Sequence, residues 1–259
     1  MSSAHRPVLD TFRLDGRVAI VTGASRGLGA AMATALAEAG AKVALAATKE
    51  PTATAAHIRA HGGACAAFAA DLSDRAAAGK LLHAVVKELG EPDILVNNAG
   101  IIRRANLLEH SDEDFDAVIE VNLRSVFVLS REFAKRLAAR KAPGRIINIA
   151  SMLSYQGGIR VPGYTAAKSA LAGLTKAMAN ELAPLGINVN AIAPGYMATD
   201  NTAALRADPV RNKSILERIP AARWGEPDDL KGAVVFLASD AAAYVHATTL
   251  PVDGGWLAR

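Results

Sequence analysis

The chain lacks most of what builds disulfide scaffolds, metal centres and membrane spans. Cys65 is the only cysteine in 259 residues, which excludes an internal disulfide and a cysteine-based metal site. That suits a reducing cytoplasm. No run reaches the roughly 20 uncharged apolar residues that span a bilayer, and the opening Met1 to Phe12 has no long apolar stretch, so the expectation is an unexported protein with no membrane partner. The 29 basic and 25 acidic residues leave a net charge of +4 without a block of one sign, which argues against a nucleic-acid partner. His5, His57, His61, His83, His110 and His246 are scattered. His57 and His61 share an i,i+4 spacing but have no third ligand, so they read as a solvated helix face and no metal is expected.

What is present is apolar and periodic. With 51% hydrophobic residues the chain has ample material for one large α/β core. Strands are expected at 17–22, 42–47, 64–70, 93–96, 145–150, 187–192 and 248–252. Helices are expected at 30–39, 51–61, 74–89, 111–140, 163–185 and 227–239, with a polar, mobile helical excursion at 198–219. The helix at 111–140 should bury one face over its whole length. Strands separated regularly by helices require a parallel sheet covered on both faces. The fold class is therefore α/β, a single Rossmann-type doubly wound domain over 13–259 preceded by an arm at 1–12.

Gly23, Gly27 and Gly29 follow the first strand in the run Thr22-Gly-Ala-Ser25-Arg26-Gly-Leu28-Gly29. Glycines at a strand-to-helix turn let a pyrophosphate approach the backbone and free amides, although this spacing differs from the Gly-x-Gly-x-x-Gly fingerprint and taken alone also fits a tight structural turn. Further on stand Asn97-Asn98-Ala99-Gly100, Asn122, Ser151, Tyr164-x-x-x-Lys168 and Pro194-Gly195. From about Arg13 to the C-terminus this order resembles the short-chain dehydrogenase/reductase family. The resemblance implies that Asn98, with Ala99 and Gly100, lies by the adenosine side and braces the sheet, that Asp71 and Leu72 flank the adenine, and that Pro194, Gly195, Met197 and Thr199 border the nicotinamide.

The end of the second strand carries Ala47 where an acid would bind the ribose 2′-hydroxyl. Arg26, Thr48 and Lys49 could instead hold a 2′-phosphate, so NADP(H) is favoured over NAD(H); solvated side chains are the alternative. For the chemistry, a free phenol is a weak base at neutral pH, and Lys168 one helical turn from Tyr164 should make the phenolate accessible. Ser151 can donate a hydrogen bond to the substrate oxygen. Asn122 matches the family's fourth member, which supports a water chain to the lysine; a buried helix asparagine holding backbone is the plainer reading.

Arg103, Arg104, Gln156, Arg160 and Trp256 are not demanded by the fold and fall after strand ends, where substrates of such sheets bind. Arginine forks suit a carboxylate. The runs 149–162, 193–202 and 252–259 resemble the bacterial 2-deoxy-D-gluconate 3-dehydrogenase subgroup, also known as 2-dehydro-3-deoxy-D-gluconate 5-dehydrogenase. That resemblance implies a keto or hydroxy deoxy sugar acid from pectin or alginate and, from the family, a homotetramer. Two alternatives stand beside it: a 3-oxoacyl-thioester reductase, and a cofactor-binding regulatory protein without turnover.

Overall fold

The structure, a computed structural model, describes residues 6–259; His5 and the start of the expected arm lie outside them. Seven strands form one sheet: β1 Val18–Thr22, β2 Lys42–Ala47, β3 Cys65–Ala69, β4 Ile94–Asn97, β5 Gly144–Ile149, β6 Ile187–Pro194 and β7 Thr249–Val252. Their order is β3-β2-β1-β4-β5-β6-β7, and every pairing is parallel. The helices are α1 Gly27–Glu38, α2 Thr52–Ala60, α3 Ala77–Leu89, α4 Asp112–Ile119, α5 Ser125–Arg140, α6 Pro162–Leu182, α7 Ala203–Ala207, α8 Pro209–Arg218 and α9 Lys231–Ala238.

β1 is buried throughout, and apolar from Val18 to Val21, because both of its faces are covered. Ala19 and Val21 enter a layer with Met32 and Leu36 of α1, Ile58 of α2 and Leu237 of α9. Val18 and Ile20 enter the opposite layer, against Leu82 of α3 and Leu129, Phe133 and Leu137 of α5. Fully burying each large apolar side chain contributes about 1.5–3 kcal/mol, so two filled layers fix the register from both sides. The chain runs outward from β1 to β3, then returns to place β4 on the other flank of β1. Ligands of such sheets bind at that reversal, outside the carboxyl ends of β1 and β4.

Several expected elements differ, among them the helix expected at 227–239, which opens as a 3-10 turn at Pro227–Leu230 before α9. Helix α3 starts at Ala77 rather than at residue 74, because Asp71 accepts from Ser73 N at 3.0 Å and Asp74 accepts from Ala76 N at 2.9 Å; these local turns compete with helix. The expected helix over 111–140 does start at a Ser cap, Ser111 accepting from Asp114 N, but a π turn at Glu120–Arg124 divides it into α4 and α5. Its burial is also uneven: only Val118 of α4 is buried, against seven residues of α5. Helix α6 ends at Leu182 and tightens to a 3-10 turn over Ala183–Leu185, where Pro184 cannot continue the α ladder. The arm contains a 3-10 turn of its own at Val8–Phe12.

Candidate active site

At the switch point Gly23 has φ +66°, and a Cβ on it would stand 2.8 Å from Asn98 Nδ2 and 2.9 Å from Ala99 Cα. Gly29 is tighter, since its Cβ would meet Gly23 O at 2.2 Å. The asparagine that sets this limit is fixed in turn: Asn98 Nδ2 donates to Thr22 O at 2.9 Å and to Gly23 O at 3.1 Å. Thr22 Oγ1 accepts from the amides of Asn98 and Ala99 at 2.9 and 3.0 Å. Asn98 thus ties β1 to β4 and shapes the glycine turn. Helix α1 opens from that turn, and its N-cap residue Arg26 makes no side-chain capping bond. Free amides and a cradle that a Cβ would fill fit a pyrophosphate.

Around the cradle, Ser25 and Arg26 are exposed and Leu28 is half-buried. Thr48 and Lys49 lie exposed just past β2. Arg26 is not free: Nη1 pairs with Asp200 Oδ2 at 3.1 Å, which ties the glycine turn to the residues after β6. Asp71 is exposed, with Oδ1 accepting from the Ser73 hydroxyl at 2.7 Å, and Leu72 is half-buried beside it. Gly195 N donates to Val252 O at 3.0 Å, Met197 is buried, and the Thr199 methyl would lie 3.7 Å from a Cβ on Gly27. Pro194 to Thr199 therefore faces the glycine turn across the crevice.

Ser151 follows β5 and caps the 3-10 turn Met152–Ser154, its Oγ accepting from Leu153 N at 3.1 Å. Because the oxygen accepts, its one hydroxyl proton is left to donate to a facing oxygen, that of Tyr164 or of a substrate. Tyr164 and Lys168 project from the first two turns of α6. Burial raises the Tyr164 phenol above its ordinary range, opposed by a hydrogen bond with the Ser151 hydroxyl and by the Arg104 charge. Lys168 is 4% exposed, its Nζ donates to Ile149 O at 2.5 Å, and burial lowers its pKa to about 8. The ammonium lies 5.6 Å from the Tyr164 ring centroid. Ser151 and Arg104 thus offset burial at the phenol, and the Lys168 ammonium beside the ring is held on a backbone carbonyl.

Asn122 is fully buried in the π turn, donating to Ile101 O at 2.9 Å and accepting from Ile101 N at 2.8 Å. Its side chain holds the loop after β4. A Cβ on Gly100 would stand 3.2 Å from Asn122 Oδ1, which explains the glycine there.

The five substrate candidates separate. Arg104 donates to Asn201 O at 3.1 Å and acts on the phenol, so it borders the crevice. Arg103, half-exposed, pairs with Asp114 of α4 at 3.1 Å. Arg160 is exposed at φ +65°, and its carbonyl accepts from Ala105 N at 3.2 Å, joining the loops after β4 and β5. Trp256 is corrected, since it is 5% exposed and packs with Met152, Ile215 and Ile219. It serves Gln156 instead, donating from Nε1 to Oε1 at 3.2 Å.

Sequence reasoning missed Arg218, which stacks 4.0 Å over the Trp256 ring and donates to Gln156 Oε1 at 3.3 Å. It also missed Tyr196, whose ring lies edge-on to Trp224 and Trp256 at 5.5 and 4.8 Å. The excursion at 198–219 has two parts. Its second, α8, is buried at Ile215 against the Trp256 cluster, whereas α7 buries none of its residues.

A 490 Å³ cavity lined by Arg6, Asp10, Arg13, Asp15, Arg17 and Asp240 lies at the opposite end of the strands. Asp240 there pairs with Arg6 at 2.7 Å, with Arg17, and with buried Arg145 at 3.5 Å, which is a structural anchor for the arm. His57 and His61 are exposed, with ring centroids 4.4 Å apart, and no group of three metal-ligating side chains occurs among the described residues. No helix among them is long and apolar enough to cross a membrane.

A glycine cradle at the switch point and a Ser–Tyr–Lys group beside it define a dinucleotide-dependent oxidoreductase. The chain belongs to the short-chain dehydrogenase/reductase family: the family model described as enoyl-(acyl carrier protein) reductase matches residues 23–257. It is 53% identical over 252 residues to 2-dehydro-3-deoxy-D-gluconate 5-dehydrogenase of Dickeya dadantii, covering 97% of this chain and 100% of the relative. The Escherichia coli protein of that name is 54% identical over the same shares. A crystal structure from Agrobacterium tumefaciens, named for 2-deoxy-D-gluconate 3-dehydrogenase and holding NADP, is 56% identical with a TM-score of 0.90, covering 96% of this chain and 99% of that one. The E. coli 3-oxoacyl-[acyl-carrier-protein] reductase is 44% identical over 243 residues, 93% of this chain and 97% of the relative.

Proposed function

We propose that this oxidoreductase interconverts a keto group and a secondary alcohol on a deoxy sugar acid, of the 2-keto-3-deoxy-gluconate or 4-deoxy-5-keto-uronate type, with NADP(H) favoured over NAD(H). The bound nicotinamide supplies the hydride. Gly23, Ser25, Gly27, Leu28 and Gly29 receive the pyrophosphate, Arg26, Thr48 and Lys49 the 2′-phosphate, Asp71, Leu72, Asn98, Ala99 and Gly100 the adenosine side, and Pro194, Gly195, Met197 and Thr199 the nicotinamide. Tyr164 and Lys168 also face the ribose. In the reductive direction the Tyr164 O–H gives its proton to the carbonyl oxygen while the Ser151 hydroxyl donates a hydrogen bond to the same atom. Lys168 places positive charge beside the phenol, and Asn122 fixes the Ile101 loop that walls the site.

The observation that carries the substrate class is the polar lining of the loops that follow the strand ends, with Arg104 bonded to Asn201 O and Gln156 bonded to Arg218. An acyl thioester arm would need a more apolar crevice, and the reductase relative of that class is also the less similar one. A purely regulatory role leaves the buried, strongly shifted Lys168 without purpose. The reading places the enzyme in the cytoplasm in alginate or pectin catabolism, with residues 13–259 as the working domain and no nucleic-acid or membrane partner. The half-exposed Phe115 and Phe127 on α4 and α5 support a homotetramer joined through α4, α5 and α6. The test is the loss of 340 nm absorbance from NADPH and NADH against 3-deoxy-2,5-diketo-hexonate, 4-deoxy-5-keto-uronate and an acetoacetyl thioester. Turnover of a sugar acid with NADPH preferred is expected; turnover of the thioester alone contradicts the reading.

A further inference from the structure

Arg218 ends α8, 62 residues from Gln156 in sequence, yet the two side chains meet at the rim. Three separate contacts hold this arginine. Its guanidinium carbon lies 4.0 Å from the Trp256 ring centroid, it donates to Gln156 Oε1 at 3.3 Å, and its own carbonyl accepts from Arg259 Nε at 3.2 Å. Arg259 also donates to Glu217 O at 2.8 Å, so a cation closes the carbonyl end of α8 and fixes the turn that presents Arg218.

Such immobilisation is costly for a long side chain unless it serves something. Several surface arginines have carboxylate partners, Arg26 with Asp200, Arg103 with Asp114 and Arg223 with Asp229, while others, Arg104 and Arg206 among them, meet only carbonyls. Arg218 makes no ion pair among the described residues, although its fork has donors to spare. Gln156 is equally committed, because Oε1 accepts from both Trp256 and Arg218, which turns its two amide protons away from them. The result is a preorganised row of donors without an acceptor, beside Met152 and one residue removed from Ser151.

We infer that Arg218, steered by Trp256 and Gln156, is the residue that binds the substrate carboxylate and so selects acids over neutral sugars. This rests on the function proposed above. In a hexonate reduced at C5 the carboxylate carbon is four bonds from the reacting carbon, roughly 5 Å along the chain. Arg104 donates to Asn201 O, in the segment after β6. Arg218, held on Gln156 of the loop after β5, takes the carboxylate end.

The test compares calorimetric binding of D-gluconate and of uncharged D-glucitol to the enzyme carrying oxidised NADP, in wild type, Arg218→Met and Arg218→Lys. Methionine keeps apolar cover on Trp256 but removes the fork. Wild type should prefer gluconate, R218M should bind it about 10- to 100-fold more weakly with glucitol and NADP unchanged, and R218K should recover part of the loss. No preference for gluconate in wild type, or an equal loss of both ligands in R218M, overturns the assignment. If gluconate binding depends on Arg218 but no keto acid is turned over, the proposed function fails and the carboxylate site stands.

Discussion

The two halves of the crevice are built differently. On the cofactor side the functional groups are backbone amides, glycines and side chains fixed within a few residues of a strand end: Gly23 and Gly29 after β1, Asn98 after β4, Ser151 after β5. On the substrate side the groups come from distant parts of the chain and hold one another, as Gln156 does with Trp256 across 100 residues and Arg259 with Arg218 across 41. The contrast shows how one family can keep its chemistry while changing substrates. The reacting atoms depend on the sheet, and the rim depends on side-chain partners that can be exchanged without disturbing it.

The sharpest way to break the contrast is at the phenol. Tyr164→Phe removes the proton donor and should lower kcat by about 10²–10⁴, with NADPH binding retained, as read by steady-state rates and cofactor fluorescence. Retained turnover would move the chemistry away from α6. Next is the cradle: Gly29→Ala drives a Cβ to 2.2 Å from Gly23 O, so a stability loss on the order of 3 kcal/mol and loss of cofactor binding are expected from denaturant titration and binding isotherms.

Lys168 gives a smaller effect of the opposite sign. Its pKa is about 8 in the folded chain against an ordinary 10.5, so between these values the unfolded chain binds more protons and stability rises with pH. The cost of burying the ammonium is fully present below pH 8. That shift corresponds to roughly 3 kcal/mol, less about 1 for the lost bond to Ile149 O, so Lys168→Met should gain about 2 kcal/mol at pH 7 while losing activity. The gain should shrink towards pH 10.5; a variant less stable than wild type at pH 7 would contradict the assignment. In the wild type, reductive kcat/KM should fall above pH 8 as the ammonium is lost.

The smallest expected change is at Arg26. Because it is exposed and already shared with Asp200, Arg26→Ala should weaken NADPH by about tenfold and leave NADH nearly unchanged in binding titrations. An equal loss for both cofactors would assign Arg26 to the pyrophosphate instead.

The cofactor half was legible in the chain because its signals are local. A strand, a glycine turn and a helix are neighbours in sequence, and Tyr164 and Lys168 are one turn apart on α6. The parallel sheet follows from the same alternation, whereas the reversal that sets β4 beside β1 does not. The π turn at Glu120–Arg124 was not legible, since the hydrophobic pattern runs through it and only the pairing of Asn122 with Ile101 shows what the irregular turn accomplishes. Nor was the rim. Arg103 and Arg104 are adjacent and chemically identical, yet one meets Asp114 and the other the crevice. Trp256 looked like a ligand contact and is a buried support, while Arg218 sits in a polar helix that carries no local mark of function. Long-range side-chain partners leave no spacing to read.

The most direct test of the division between a reacting sheet and a selecting rim is the ratio of kcat/KM for 3-deoxy-2,5-diketo-hexonate over acetoacetyl thioester in wild type and Gln156→Leu. The ratio should fall at least about tenfold in the variant, through the sugar acid alone, because only that substrate uses the rim donors. Equal losses on both substrates would mean that Gln156 supports the reacting centre itself, and the two regions would then be one.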